Sequence, residues 1–189
     1  LDVLGSGERV PLLREVFAAL PAETRLNVEL KHPGVDPGAT GLLDPEALAR
    51  ERTRWRPFVE RVLSLAGEYD HGLLVSSFYE GALAATRAVD PTVPLAALFH
   101  RSIEDGLTVA DRHDCAAVHP PLDTVYGTPL FDERYVSGSS DAVDVVARAH
   151  DAGRAVNVWT VRTAEQARHL RAAGVDGLIV DDPAVVGAP

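Results

Sequence analysis

Residues 26–31 read Leu26-Asn27-Val28-Glu29-Leu30-Lys31, and apolar and polar residues alternate through all of them. Leu26, Val28 and Leu30 form one face and Asn27, Glu29 and Lys31 the other, the period-two pattern of a β-strand with one greasy and one polar side. Glu29 and Lys31 therefore project together, about 6.6 Å apart along the strand. At that separation a carboxylate and an ammonium can address one small anionic ligand. Lys31 is the only lysine among 18 basic residues, and its compact ammonium differs chemically from the planar arginine fork used elsewhere. The same pattern also describes a plain strand carrying an ion pair, and the residues alone leave both readings open.

The chain has 189 residues, enough for one domain with a sizeable core. It contains no apolar run near the length of about 18 residues that a membrane helix needs, so no membrane span is expected. A net charge of −10 argues against nucleic acid or an anionic membrane as main partner, since both require a basic face. Cys115 is the single cysteine, which leaves no internal disulfide and no cysteine zinc cluster and fits a reducing cytoplasm. The chain opens Leu1-Asp2-Val3 with neither methionine nor a targeting segment, so a preceding segment is expected.

Outward from the opening strand, the pattern alternates between helices and strands. Residues 10–20 read as a short helix with Pro11 in its first turn. Residues 32–43, rich in Gly and Pro, read as a loop. Asp44 then Pro45 caps a long charged helix that Pro57 is predicted to kink before Gly67. Apolar strands are predicted over 73–78, 94–99 and 116–119, with helices over 80–89 and 102–110 between them. Residues 121–139 form a long irregular segment, the kind of loop that is usually functional. A helix over 141–152 precedes the strand Ala155-Val156-Asn157-Val158-Trp159-Thr160-Val161. Thr163 and Gln166 make a capping box for the next helix, and 177–180 is the last strand.

Strands too apolar to face water on either side, alternating with helices, imply a parallel sheet covered by helices. No Gly-x-Gly-x-x-Gly turn follows any strand, which disfavours an open dinucleotide-type sheet. Polar residues at strand ends, Glu29 with Lys31, His119, and Asn157 with Trp159, suit a (β/α) barrel of the TIM type whose C-terminal mouth is the active face. Six strands are two short of that barrel's eight.

Leu26 to Lys31 resembles the Glu-x-Lys strand of the glycerophosphodiester phosphodiesterases. Asn157 to Val161 is similar to their Trp-Thr-Val strand, and Gly174 to Pro183 to their terminal Gly-Val-Asp-Gly segment. Val75 to Phe78 resembles their Ser-Phe strand, and Pro11 to Val16 the helix lead-in before Glu-x-Lys. These segments lie in the family's order across almost the whole chain, so residues 1–189 read as one partial phosphodiesterase domain. The family's His-Arg-Gly strand, Glu-x-Asp strand and His-Asp loop all precede Glu-x-Lys, and the chain begins too late to contain them. His100-Arg101 and His113-Asp114 follow Glu29 instead, and are read as surface residues.

The resemblance implies metal-dependent hydrolysis of a glycerophosphodiester to glycerol phosphate and an alcohol. It assigns Glu29 as a ligand of a divalent cation, Mg²⁺ or Ca²⁺, and Lys31 as the phosphate contact, these two being the catalytic candidates. Asn157, Trp159 and His119 would line the substrate pocket, though Trp159 also reads as a core aromatic and His119 as a strand-end histidine bonded to backbone. Asp181 and Asp182 read as caps or solvated acids. Without the upstream histidines this portion is expected to turn over little substrate alone, and an upstream segment or partner is needed to close the barrel. The alternative is a non-catalytic barrel remnant or a module that binds a phosphate-bearing ligand.

Overall fold

A computed structural model describes residues 7, 9–31, 40–135 and 142–187. Its six strands are β1 (Leu26–Glu29), β2 (Leu73–Ser77), β3 (Leu95–Leu98), β4 (Ala117–His119), β5 (Ala155–Val161) and β6 (Gly177–Val180). All pair in parallel in the order β1-β2-β3-β4-β5-β6. Each strand lies beside its sequence neighbour and the order never reverses. An open doubly wound sheet requires such a reversal, so the sheet curls in one direction as part of a (β/α) barrel.

The outer face of the sheet is apolar because helices cover it. Val75, Leu95, Ala97, Val118, Val156 and Val158 are buried there, among the helices α1 (Leu13–Ala19), α2 (Pro45–Ala66), α3 (Glu80–Val89), α4 (Ile103–Arg112), α5 (Val145–Asp151) and α6 (Ala164–Ala172). The concave face carries small residues, and a groove of about 370 Å³ runs along it, bordered by Asn27, Leu74, Ala117, Ala155 and Asn157. Closed barrels of this class fill that space with layers of side chains from all eight strands.

Capping explains most element ends. The Asp44 carboxylate accepts from the Ala47 amide at 2.8 Å and Pro45 opens α2. The helix continues through Pro57 as one element to Ala66, with Trp55, Val59 and Val62 buried on both sides of the proline. At α1, Pro11 falls outside the helix: Leu12 is the cap, and its amide donates to the Glu15 carboxylate at 2.7 Å. The helix predicted over 141–152 is shorter, since the Asp144 carboxylate accepts from Val146 and Ala147 at 3.1 and 3.0 Å and starts α5 there; Asp141 lies outside the described residues. The Thr163–Gln166 capping box is present, and Asp182 caps a terminal 3₁₀ turn through the Ala184 amide at 2.9 Å. The irregular segment after β4 holds two 3₁₀ turns, Leu122–Thr124 and Glu133–Tyr135.

The Gly-Val-Asp-Gly segment has a physical account. Gly174, at φ +84°, turns the chain out of α6 in a conformation that disfavours a side chain. The Asp176 carboxylate then accepts from the Val156 amide and from His150, both at 2.8 Å, tying the entry of β6 to β5 and α5.

A buried carboxylate organises the other side. Glu80, at the first position of α3, has a fully buried side chain. It accepts from the Leu43 amide at 2.6 Å, Arg112 at 2.8 Å and His113 Nε2 at 3.0 Å. Burial alone would raise its pKa. The hydrogen bonds from His113 and Leu43 and the charge of Arg112 outweigh that and hold it below the usual range. His113 is therefore buried and bonded, not the surface residue its dipeptide suggested.

Glu80→Ala is expected to cost about 2–4 kcal/mol, since it removes charge-assisted bonds and leaves the Leu43 amide without its acceptor. Because the native pKa is lowered, Glu80's contribution is complete above the unfolded pKa of about 4.3 and is lost as pH falls through the native value. Denaturant melts at neutral and acidic pH check both points; a change below about 0.5 kcal/mol would contradict the role.

Candidate functional site

Strand register decides which side chains share the concave face, because parallel partners point the same way. Glu29 pairs with Ser76, Ser76 with Ala96, Ala96 with Ala117 and Ala117 with Ala155. One step toward the C-terminal ends, Leu98 pairs with His119 and Asn157 with Gly177. Glu29, His119 and Asn157 thus face the concavity from three strands. Trp159 follows two residues after Asn157 and bridges to Pro121.

His119 is 1% exposed. Asn157 Nδ2 donates to its Nε2 at 3.0 Å, which assigns the ring proton to Nδ1. Nδ1 is buried and has no partner among the described residues. Burial pushes the His119 pKa down to about 4, so near neutrality the imidazole is an uncharged N–H donor. The site also needs a glycine: a Cβ at Gly177 would overlap the Asn157 amide.

Trp159 extends this cluster. Its indole Nε1 donates to the His119 carbonyl at 2.7 Å, so the ring is held through its polar edge rather than sunk in the core. Phe78 packs edge-on against Trp159 at 5.4 Å and against His100 at 5.6 Å, making an aromatic wall across the strand ends.

Glu29 and Lys31 form a second cluster. Their ion pair is 3.3 Å long, with the Lys31 side chain 73% exposed and that of Glu29 26% exposed. Strand β1 ends at Glu29, so Lys31 sits just past it rather than within it, although the Leu30 amide still donates to the Ser76 carbonyl at 2.8 Å. An exposed pair of this kind adds little stability. Glu29 Oε1 is nevertheless buried without a partner, and so is the Ser76 hydroxyl on the next strand. Among the described residues, no hydrogen bond, ion pair or ring contact joins Glu29 and Lys31 to His119, Asn157 and Trp159; what they share is a face and an end of the sheet.

The described residues do not complete a cation site. No group of three or more His, Cys, Asp or Glu among them could hold a metal ion, and Glu29 supplies one available oxygen where a hard cation takes about six to eight ligands. Ser76, Phe78 and Gly177 lie beside these residues; the sequence places them in segments that resemble the family's but assigns them no site role. Counting two residues back from Phe78 along an alternating strand would have placed Ser76 on its face.

The neutral imidazole predicts a titration. An NMR pH series should find His119 uncharged down to about pH 4. Its native pKa is lowered, so stability should fall with pH between about 6.5, the unfolded value, and about 4. A His119 midpoint near 6.5 would contradict the assignment.

Comparison with known proteins bears on the fold and the family. No curated protein matches the chain. Among solved structures, a Silicibacter pomeroyi protein assigned as a glycerophosphoryl diester phosphodiesterase superposes with a TM-score of 0.62 at 25% identity, over 94% of this chain and 55% of its own. One from Galdieria sulphuraria, assigned as a glycerophosphodiester phosphodiesterase, gives 0.68 at 22% identity, over 98% and 65%. A phosphodiesterase of Oleispira antarctica, solved with its product sn-glycerol-3-phosphate, gives 0.53 at 22% identity, over 71% and 51%. The chain thus spans less than two thirds of each of these relatives. The glycerophosphoryl diester phosphodiesterase family matches residues 4–185, and the chain belongs to that family.

Proposed function

We propose that the protein hydrolyses a glycerophosphodiester to glycerol phosphate and an alcohol at the C-terminal mouth of its strands. The observation that carries this reading is the set of unsatisfied polar atoms on one concave face: Glu29 Oε1, the Ser76 hydroxyl and His119 Nδ1. Buried polar atoms without partners are rare, and three on one face, with a further one at Glu51 on α2, support a place where a ligand, ion or water completes the bonding. Family membership supplies the reaction class.

In this reading water attacks phosphorus and gives one proton to a general base, the bond from phosphorus to the leaving alcohol oxygen breaks, and the alkoxide takes up a proton from a general acid. Lys31 neutralises a phosphate oxygen. Asn157 orients His119, whose Nδ1–H donates to the substrate, and Trp159 with Phe78 walls the glycerol side. His119 is not the proton donor, since a pKa of about 4 leaves it uncharged at neutral pH and its Nε2 is already engaged. Glu29 would supply one oxygen to a divalent cation, Mg²⁺ or Ca²⁺, whose charge would offset that of the phosphate. The other cation ligands and both proton-transfer histidines would come from outside residues 1–189, which contain no His-Arg-Gly.

Residues 1–189 alone would then bind product but turn over little substrate. A segment or partner supplying two further strands would cover the concave groove and the edges of β1 and β6. No helix among the described residues is long and apolar enough to cross a membrane. A lone, buried Cys115 is in keeping with a cytoplasmic location.

Titration of the chain with sn-glycerol 3-phosphate should give saturable binding that Lys31→Gln weakens about tenfold, the loss of one charge-assisted contact. Equal affinity in the variant would overturn the role of Lys31. Metal-dependent hydrolysis of glycerophosphocholine by residues 1–189 alone would overturn the placement of the proton-transfer groups.

A further inference from the structure

The loop that follows β3 lines a cavity of about 170 Å³ beside the strand-end mouth. Loops that leave the strands of a (β/α) barrel in this direction form its active face, and Phe78 joins the cavity to the cluster already described. Its ring packs edge-on against Trp159 at 5.4 Å and against His100 at 5.6 Å. The aromatic wall on the glycerol side is therefore also a wall of this cavity.

Local contacts fix the shape of the cavity. The Tyr135 hydroxyl donates to the His100 carbonyl at 3.1 Å. A Cβ at Gly106 would overlap the Phe99 ring, so the first turn of α4 lies directly against it. Phe78, Leu98 and Phe99 give the cavity an apolar side, and Arg101 and Asp105 give it one charge of each sign. Neither side chain has a hydrogen-bond or ion-pair partner among the described residues, and the two do not pair with each other. It is the Asp105 amide, not its carboxylate, that bonds to the capping Ser102 hydroxyl, at 3.1 Å. The adjacent Glu104 is taken by Arg148 at 3.3 Å. Partial burial, and then the charge of Arg101, lower the His100 pKa, so near neutrality that ring adds no further charge.

Two unmatched charges of opposite sign in one small cavity complement an alcohol that carries both an ammonium and a carboxylate. A head group with an ammonium alone would match Asp105 and leave Arg101 facing a like charge. At the ~30 Å³ that a water takes up in the liquid, the cavity holds a head group of about six heavy atoms. We infer that the cavity between Phe78 and the start of α4 receives the leaving alcohol of the diester and selects a zwitterionic one, as in glycerophosphoserine, with Arg101 on its carboxylate and Asp105 on its ammonium. This selectivity rests on the phosphodiester reading of the strand-end mouth and adds which alcohol is released there.

Isothermal titration of the 189-residue chain with glycerophosphoserine and with glycerophosphoethanolamine, which differ only in the carboxylate, tests it. The serine diester should bind about fivefold more tightly, roughly the worth of one exposed charge pair. Arg101→Gln should bring the ratio of the two affinities to about one, and Asp105→Asn should weaken both diesters about threefold to fivefold. Arg101 and Asp105 are exposed, so circular dichroism should show both variants folded. Equal affinity of the parent for the two diesters, a ratio that survives Arg101→Gln, or unchanged binding by Asp105→Asn would each overturn the selectivity. In those cases sn-glycerol 3-phosphate still bound through Lys31 would leave the reading of the mouth standing. If neither sn-glycerol 3-phosphate nor either diester binds, both fall.

Discussion

A parallel strand covered on both faces leaves its polar side chains few places to be satisfied, and that constraint orders this molecule. On the outer face Val75, Leu95, Val118, Val156 and Val158 pack under helices, and the buried Ser77 hydroxyl is satisfied by donating to the Leu30 carbonyl at 2.8 Å. On the concave face, polar residues collect toward the C-terminal ends, where Asn157 satisfies one nitrogen of His119 and Gly177 leaves room for the amide that does so. What the sheet does not satisfy there is the oxygen of Glu29, the hydroxyl of Ser76 and the second nitrogen of His119, the atoms on which the proposed function rests.

The supporting contacts serve that arrangement from behind. Asp176 ties β6 to β5 through the Val156 amide, which sets the register that puts Gly177 beside Asn157. Glu80 joins the segment after β1 to α3 and α4 through Leu43, Arg112 and His113, so the chain leaving Lys31 returns to a fixed point. The family's Gly-Val-Asp-Gly segment thereby acquires separate roles for its residues: a turn at Gly174, a clamp at Asp176, a clearance at Gly177.

Much of this was legible in the sequence, for identifiable reasons. Strands β5 and β6 and helix α3 lie where alternation, capping and glycine punctuation put them, because their signals are local. Asn157, Trp159 and His119 lie together because period-two spacing and strand ends locate them. Long-range packing hid the rest. His113 is drawn inward by a carboxylate 33 residues away in the chain. Ser76 looked like one more residue in an apolar run; only its register with Glu29 reveals its setting.

The central claim is that two clusters without direct contact, Glu29 with Lys31 and His119 with Asn157 and Trp159, are one ligand site. A ¹H–¹⁵N NMR titration with sn-glycerol 3-phosphate, following the Lys31 backbone amide and the Trp159 indole N–H together, tests this most directly. The account predicts that both signals move along saturation curves with a single shared dissociation constant. Movement of one without the other, or two different constants, would contradict it.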